Sequence, residues 1–459
     1  MIGRLALRSL TTHPVRSAVL SAGFGLGVGV MAILLGIADI VLEQAQSPAL
    51  AGGGDVTITL PLGVPARLVL AGTLQSDALR HRVRAAGASR STDLYLLNGG
   101  RSVRVDAHGG IPSLERAVND PESLQVAAWR DTEDDAAWTH ESPATVLRQI
   151  DRFHGVPDAP AWASSWAEWL YFNGRSPGAR FYLTLLAGPR TPRDTRVAGV
   201  RLQVERNGIM DTFSATAEAT NAEIDRAPDL TIGATSVRLE GMRYHVHLDL
   251  TNARKRRVSG DFTLEASPGK LVPPVEIAGA RGWRTGYVVP VMSGTLDGTL
   301  TIDGEQISLA GGSGYHDHNW GFWQGVSWQW GQAQQGDLSL SYGRVFPPRE
   351  AADPETIPGF IGALGPDGPL GYSTDVRITE TNDDAGRPQR IVVRARSTSL
   401  DLDLTFDVMS TVTTRMTNGV LGDGLNFLQM RGQYTVTGRA GGRAINFTAP
   451  GAAETFRGQ

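Results

Sequence analysis

The stretch Gly314-Tyr315-His316-Asp317-His318-Asn319-Trp320-Gly321 gathers side chains able to donate, accept or relay a proton, and Trp328-Gln329-Trp330 follows shortly after it. In an extended segment successive side chains alternate. Tyr315, Asp317 and Asn319 therefore share one face, and His316 and His318 point to the other. A carboxyl pressed against Trp320 or Trp328 would lose its hydration, and desolvation raises a carboxyl pKa toward the range of a general acid working near neutral pH. The catalytic reading names Asp317, Tyr315, His316 and His318. A second reading fits the same residues: a buried hydrogen-bond cluster that locks two sheets together, with the tryptophans as ordinary core. His316-x-His318 and His245-x-His247 also have the spacing by which a strand turns two imidazoles toward a metal ion. No further ligand set accompanies either pair, so no metal and no cofactor are expected.

Strands must position these residues. From about residue 165 the hydrophobic pattern has period two, as in Tyr244, Val246, Leu248 and Leu250, or Leu400, Leu402, Leu404, Phe406 and Val408. Asp303-Gly304 and Asp367-Gly368 lie between such runs as hairpin turns, where glycine and its acidic neighbour tolerate left-handed backbone. Many short strands with frequent turns point to antiparallel barrels or sandwiches. One helix is well signalled before them, with Ser142 as N-cap, Pro143 at the first helical position and Val146, Leu147 and Ile150 at helical spacing. The acidic stretch Asp131, Glu133, Asp134 and Asp135 and the basic run Arg254, Lys255, Arg256 and Arg257 read as solvated surface, the second as a hairpin tip.

Composition narrows the classes. The chain has 459 residues, a formal net charge of −4 and no cysteine. That length allows two or three domains. Disulfides, thiolate metal sites and cysteine nucleophiles are excluded, and a mildly acidic chain is not expected to bind nucleic acid.

Two motifs carry a family resemblance: Glu168-Trp169-Leu170-Tyr171-Phe172-Asn173-Gly174, and the Gly314–Gly321 stretch with Trp328-Gln329-Trp330. Both resemble signatures of the carotenoid 1,2-hydratase (hydroxyneurosporene synthase) and related lipocalin-like superfamily, over roughly residues 140–459. The resemblance implies two consecutive lipocalin-like antiparallel β-barrel or sandwich domains, at residues 161–322 and 323–459. It also implies a carotenoid or lipid ligand, for which Trp169, Tyr171, Trp320, Trp328 and Trp330 are the binding candidates. Hydration of an alkene needs an acid to protonate one carbon, aromatic faces to shelter the cation and a positioned water to trap it. The pattern departs from the family at one place. Where hydratases carry His-x-Trp-x-Pro, this chain reads Gly286-Tyr287-Val288-Val289-Pro290, so an imidazole and an indole are missing, with Tyr287 and Trp283 as the nearest substitutes.

The N-terminus reads as a membrane anchor. No residue from 17 to 38 is charged, and at ~1.5 Å rise per residue this run covers the ~30 Å hydrocarbon core. Arg4, Arg8 and Arg16 precede it and Asp39 and Glu43 follow. The positive-inside rule then sets residues 1–16 in the cytoplasm, a single span at 17–42 in a bacterial inner membrane, and the body in the periplasm. Cleavage at Ala49-Leu50-Ala51 is the rival reading, but the apolar run is longer than the ~7–15 residues of a signal peptide. Gly23 with Gly27 and Gly25 with Gly29 form small-xxx-small pairs on which other transmembrane subunits can pack. The stretch from Arg4 to Val56 resembles the opening of permeases of the macrolide-export and lipoprotein-release class. Residues 43–160 are expected to be a linker and a mixed α/β region. With part of the hydratase pattern missing, the expected function is an accessory subunit of a membrane complex, of which a carotenoid-containing photosynthetic complex is one candidate host. The alternatives are a hydratase acting on an acyclic isoprenoid and a lipid-binding partner of an export transporter.

Overall fold

The structure is a computed structural model. It describes residues 142–458 apart from residue 367 and residues 417–424, together with most of residues 81–135 and isolated earlier positions. The span expected at 17–42, with Gly23, Gly25, Gly27 and Gly29, lies outside the described residues. No helix among the described residues is long and apolar enough to cross a membrane.

The described residues fall into two compact units. In one, the hairpin Ser89–Asn98 and Arg101–Gly110 precedes two short helices, Pro112–Ala117 and Pro121–Gln125. The other holds the period-two region, folded mainly as β into two nearly closed antiparallel barrels. The first barrel is a 12-stranded sheet between Trp166 and Phe322, and the second a 9-stranded sheet between Ser327 and Gly458. Most strands pair with their chain neighbours, the up-and-down order of lipocalin-like barrels. Asp303-Gly304 makes the tight turn expected between Ile302 and Glu305, both residues at positive φ; Asp367 lies outside the described residues.

Alternation decides which side of each strand is buried. Arg243–Thr251 exposes every second or fourth side chain, as a strand with one wet face should. Trp166–Arg175 and Gly312–Phe322 are buried almost without interruption. They are hydrogen-bonded to each other, with Asp317 opposite Tyr171 and His316 opposite Phe172. One face of this pair turns into the first barrel and the other toward the second barrel. Double-sided burial explains why Trp169 to Phe172 read as a continuous apolar run. A single hydrophobic core spans the junction, joining Leu170, Phe172 and Val288 of the first barrel to Trp330, Ala452 and Phe456 of the second. Polar ties add to it: Arg431 with Glu205, Gln334 with Ser293 and Tyr171 with Glu454.

The helix Pro143–Ile150 forms as its signals require. The Ser142 hydroxyl accepts the Thr145 N–H, and Val146, Leu147 and Ile150 are buried. It packs into the core of the first barrel and delivers Asp151 and His154 to it. Residues 254–257 form the hairpin tip, where Arg256 pairs with Asp211 and Asp303 and Arg257 with Asp249.

Leu170 is fully buried in the first barrel. Leu170→Ala should cost about 2–5 kcal/mol, whereas Thr231→Ala at an exposed position should stay within about 0.5 kcal/mol. Urea unfolding midpoints of the two variants against the parent protein check this.

Candidate functional site

Between the barrels lies a cavity of about 320 Å³. Its first-barrel wall carries Trp169, Tyr171, Tyr287, Asp317 and Asn319; its second-barrel wall carries Trp328, Trp330, Phe360, Phe427, Glu454 and Phe456. Apolar and aromatic surface dominates. Asp317 and Asn319 face this cavity, and Tyr315 lies fully buried behind them.

Asp317 is held by donors on both oxygens. Tyr315 Oη donates to Oδ2 at 2.9 Å and Asn319 Nδ2 to Oδ1 at 2.8 Å. Behind Tyr315 the chain continues, with 2.6 Å between its hydroxyl and that of Tyr287, and the Trp330 indole N–H donating to Tyr287 at 3.0 Å. Such donors favour the ionised carboxylate, but burial opposes it and the nearby Glu454 adds repulsion. The result is an Asp317 pKa raised well above the usual range. Glu454 accepts from Tyr171 Oη at 2.8 Å and from Gln429 at 3.4 Å. Burial outweighs those bonds and lifts it to about 7. Two carboxyls whose pKa values burial raises thus share a largely apolar cavity.

The other face of the strand holds a separate polar system inside the first barrel. His316 Nε2 and Tyr244 Oη both meet Asp151 Oδ2, at 2.9 and 2.8 Å, and His316 Nδ1 donates to the Tyr171 carbonyl. His318 bridges two carboxylates, 3.2 Å from Asp151 and 2.9 Å from Glu168. Glu168 also accepts the backbone N–H and ring N–H of His154. Burial alone would raise Asp151, yet His316 and His318 bring it down to about 2. Burial likewise opposes charge on His318, but Asp151 and Glu168 lift it to about 9. Glu168 is lowered by His154 and His318 against the effect of burial. These groups neutralise one another in the barrel core.

Some sequence assignments are therefore redistributed. His316 and His318 belong to the inner network and do not line the cavity. Trp320, expected to contact ligand, also turns inward, where it stacks on His154 at 4.1 Å between ring centroids. Its indole fills the space at Gly286, where an added Cβ would lie 2.1 Å from the ring. A side chain at 286 and Trp320 in this position exclude each other. Tyr287, one residue on, enters the cavity instead. Trp169, Tyr171, Trp328 and Trp330 line the cavity. For metals, donor atoms of His154, Glu168 and His318 lie within 4.8 Å of one another, as do those of His108, Glu115 and Asp120 in the other unit. His245 and His247 instead sit beside separate carboxylates, Glu240 and Asp261.

Residues 149–450, more than half of the chain and most of both barrels, match the family model described as "Domain of unknown function (DUF7064)". The chain belongs to this family. The DUF7064 match takes in Asp151, Glu168, Tyr287 and Asp317 and ends just before Glu454. No curated protein matches the chain. Among solved structures, an AttH protein (NE1406) from Nitrosomonas europaea is 14% identical, covering 63% of this chain and 92% of its own, with a TM-score of 0.39. CghA is 11% identical, covering 70% of this chain and 96% of its own, with a TM-score of 0.43. CghA with Sch210972 gives 11%, 69%, 95% and 0.42.

Sequence reasoning missed Glu454, Asp151 and Glu168 as partners. Glu454 left a signal: it is the one acid in the alternation Ala452, Glu454, Phe456.

The inner network sets a pH dependence. The Asp151 contribution is complete above its ordinary value near 3.8 and is lost as pH falls toward 2; that of His318 is complete below 6.5 and is lost as pH rises through 9. The His318 share of stability, at most about 3 kcal/mol, should therefore be lost between pH 6.5 and 9, and His318→Gln should lose that much less than the parent over this range, while the raised Asp317 and Glu454 carboxyls lower the stability of both proteins as pH rises. Urea unfolding at pH 6 and pH 9 of both proteins measures it.

Proposed function

We propose that this protein binds an apolar, alkene-bearing molecule between its barrels and that Asp317 protonates it. The protonated state favoured at Asp317, in a cavity walled by aromatic rings, carries this reading. Asp317 lines the cavity, so the acidic proton of its neutral form can point into it. Transfer of that proton to one alkene carbon leaves a tertiary cation on the other, which Trp169, Trp328 and Trp330 can shelter. Water then adds to the cation and releases a proton, giving an alcohol and restoring the acid. The net reaction is a hydration, as in the carotenoid 1,2-hydratases that the two motifs resemble. Tyr315, Tyr287 and Trp330 hold the acid in place through a chain of hydrogen bonds.

The accessory-subunit role and the inner-membrane location rest on residues 17–42, and nothing among the described residues bears on them. The cavity supports a ligand-binding and catalytic role instead.

The test is conversion of detergent-dispersed acyclic isoprenoid alkenes, with and without a carboxylate end, to their hydrated products. Asp317→Asn should lower the rate by about 10²- to 10⁴-fold while leaving the fold intact. Activity should also fall as rising pH ionises Asp317. Glu454→Gln removes a negative neighbour and lowers the Asp317 pKa, so that fall should begin at lower pH. Undiminished conversion by Asp317→Asn would contradict the reading.

A further inference from the structure

The cavity carries a charge that the acid chemistry does not use. Arg201, on the strand Thr195–Arg206, lines it together with Thr184 and Ser214. The register puts these residues in one row across the barrel wall. Asp317 is opposite Tyr171, Tyr171 opposite Thr184, Thr184 opposite Arg201, and Arg201 opposite Ser214. With neighbouring strands ~4.8 Å apart, three steps separate Asp317 from Arg201 by about 14 Å. Ser214 and Thr216 are exposed, so the row runs from the buried acid to the mouth of the cavity.

Arg201 has little of its own to neutralise it. One Nη donates to the Thr414 hydroxyl at 2.8 Å, and Nε is buried without a partner. Among the described residues no carboxylate lies within 4 Å of the guanidinium. The other arginine of the cavity, Arg344, differs in being 3.6 Å from Glu355. A half-buried cation without a counter-ion is costly unless a ligand supplies the charge, and the guanidinium fork suits a carboxylate.

We infer that the ligand is an amphiphile: Arg201 binds a carboxylate head at the mouth of the cavity, and an unsaturated hydrocarbon tail reaches about 14 Å inward to Asp317. This rests on the ligand-binding reading of the cavity and names the class of molecule it takes. Thr184, Ser214 and Thr414 surround the head with hydroxyl groups, and the aromatic walls take the tail. One end of the row sets the register of the chain, so the double bond that meets Asp317 is chosen by its distance from the head.

Binding of a fluorescent polyene fatty acid and of its methyl ester, followed by emission in titrations with the full chain, tests this. The parent protein should bind the acid roughly 10- to 100-fold more tightly than the ester, the range expected for hydrogen bonds to a charged group. Arg201→Met should level the two by weakening the acid alone, and Arg201→Lys should keep part of the preference. Circular dichroism and thermal unfolding confirm that both variants fold. A parent protein without preference, or Arg201→Met with the preference intact, overturns the anchor and leaves the apolar cavity standing. Failure of both probes to bind overturns the anchor and the ligand-binding reading together.

Discussion

Because the strand Gly312–Phe322 is enclosed on both faces, its polar side chains must find partners without help from bulk water. Alternation then divides them into two systems. His316 and His318 enter the first barrel, where His316 hydrogen-bonds to Asp151 and His318 lies between Asp151 and Glu168. Asp317 faces the second barrel, where no cation lies within ion-pair distance of it among the described residues. Charge is tolerated on one face because it is paired, and disfavoured on the other because it is not. A carboxyl in the second situation responds by holding its proton.

The two barrels thus do together what neither does alone. The first supplies Asp317 and its tyrosine support; the second supplies Trp328, Trp330 and Glu454, which exclude water and add repulsion to the ionised form of Asp317. The same junction carries a core that runs between the barrels, so the desolvation that tunes Asp317 comes from packing that also holds the barrels together. A change that loosened the junction would lower the acidity threshold of the site without touching Asp317 itself.

Much of this was legible in the sequence. Period-two runs such as Leu400 to Val408 marked the strands, Ser142-Pro143 marked the helix start, and simple alternation separated Asp317 from its histidine neighbours. The partners were not legible, because they come from far along the chain: Glu454 meets Tyr171 across the junction, and Asp151 enters the barrel on a helix read as part of a separate mixed region. Trp320 lies off the cavity for a related reason. An alternating pattern tells which residues share a face, but on a strand buried on both sides it does not tell which face borders the cavity. Gly286 is the space that Trp320 occupies, a packing constraint that the sequence alone did not reveal.

The protonation state of Asp317 at neutral pH is the point on which the rest turns. Infrared difference spectra of the full chain against Asp317→Asn read it directly. A protonated-carboxyl stretch at pH 7 that disappears in the variant is the predicted result. A difference spectrum showing only the ionised carboxylate would mean that burial does not hold the proton on Asp317, and the acid role would fail.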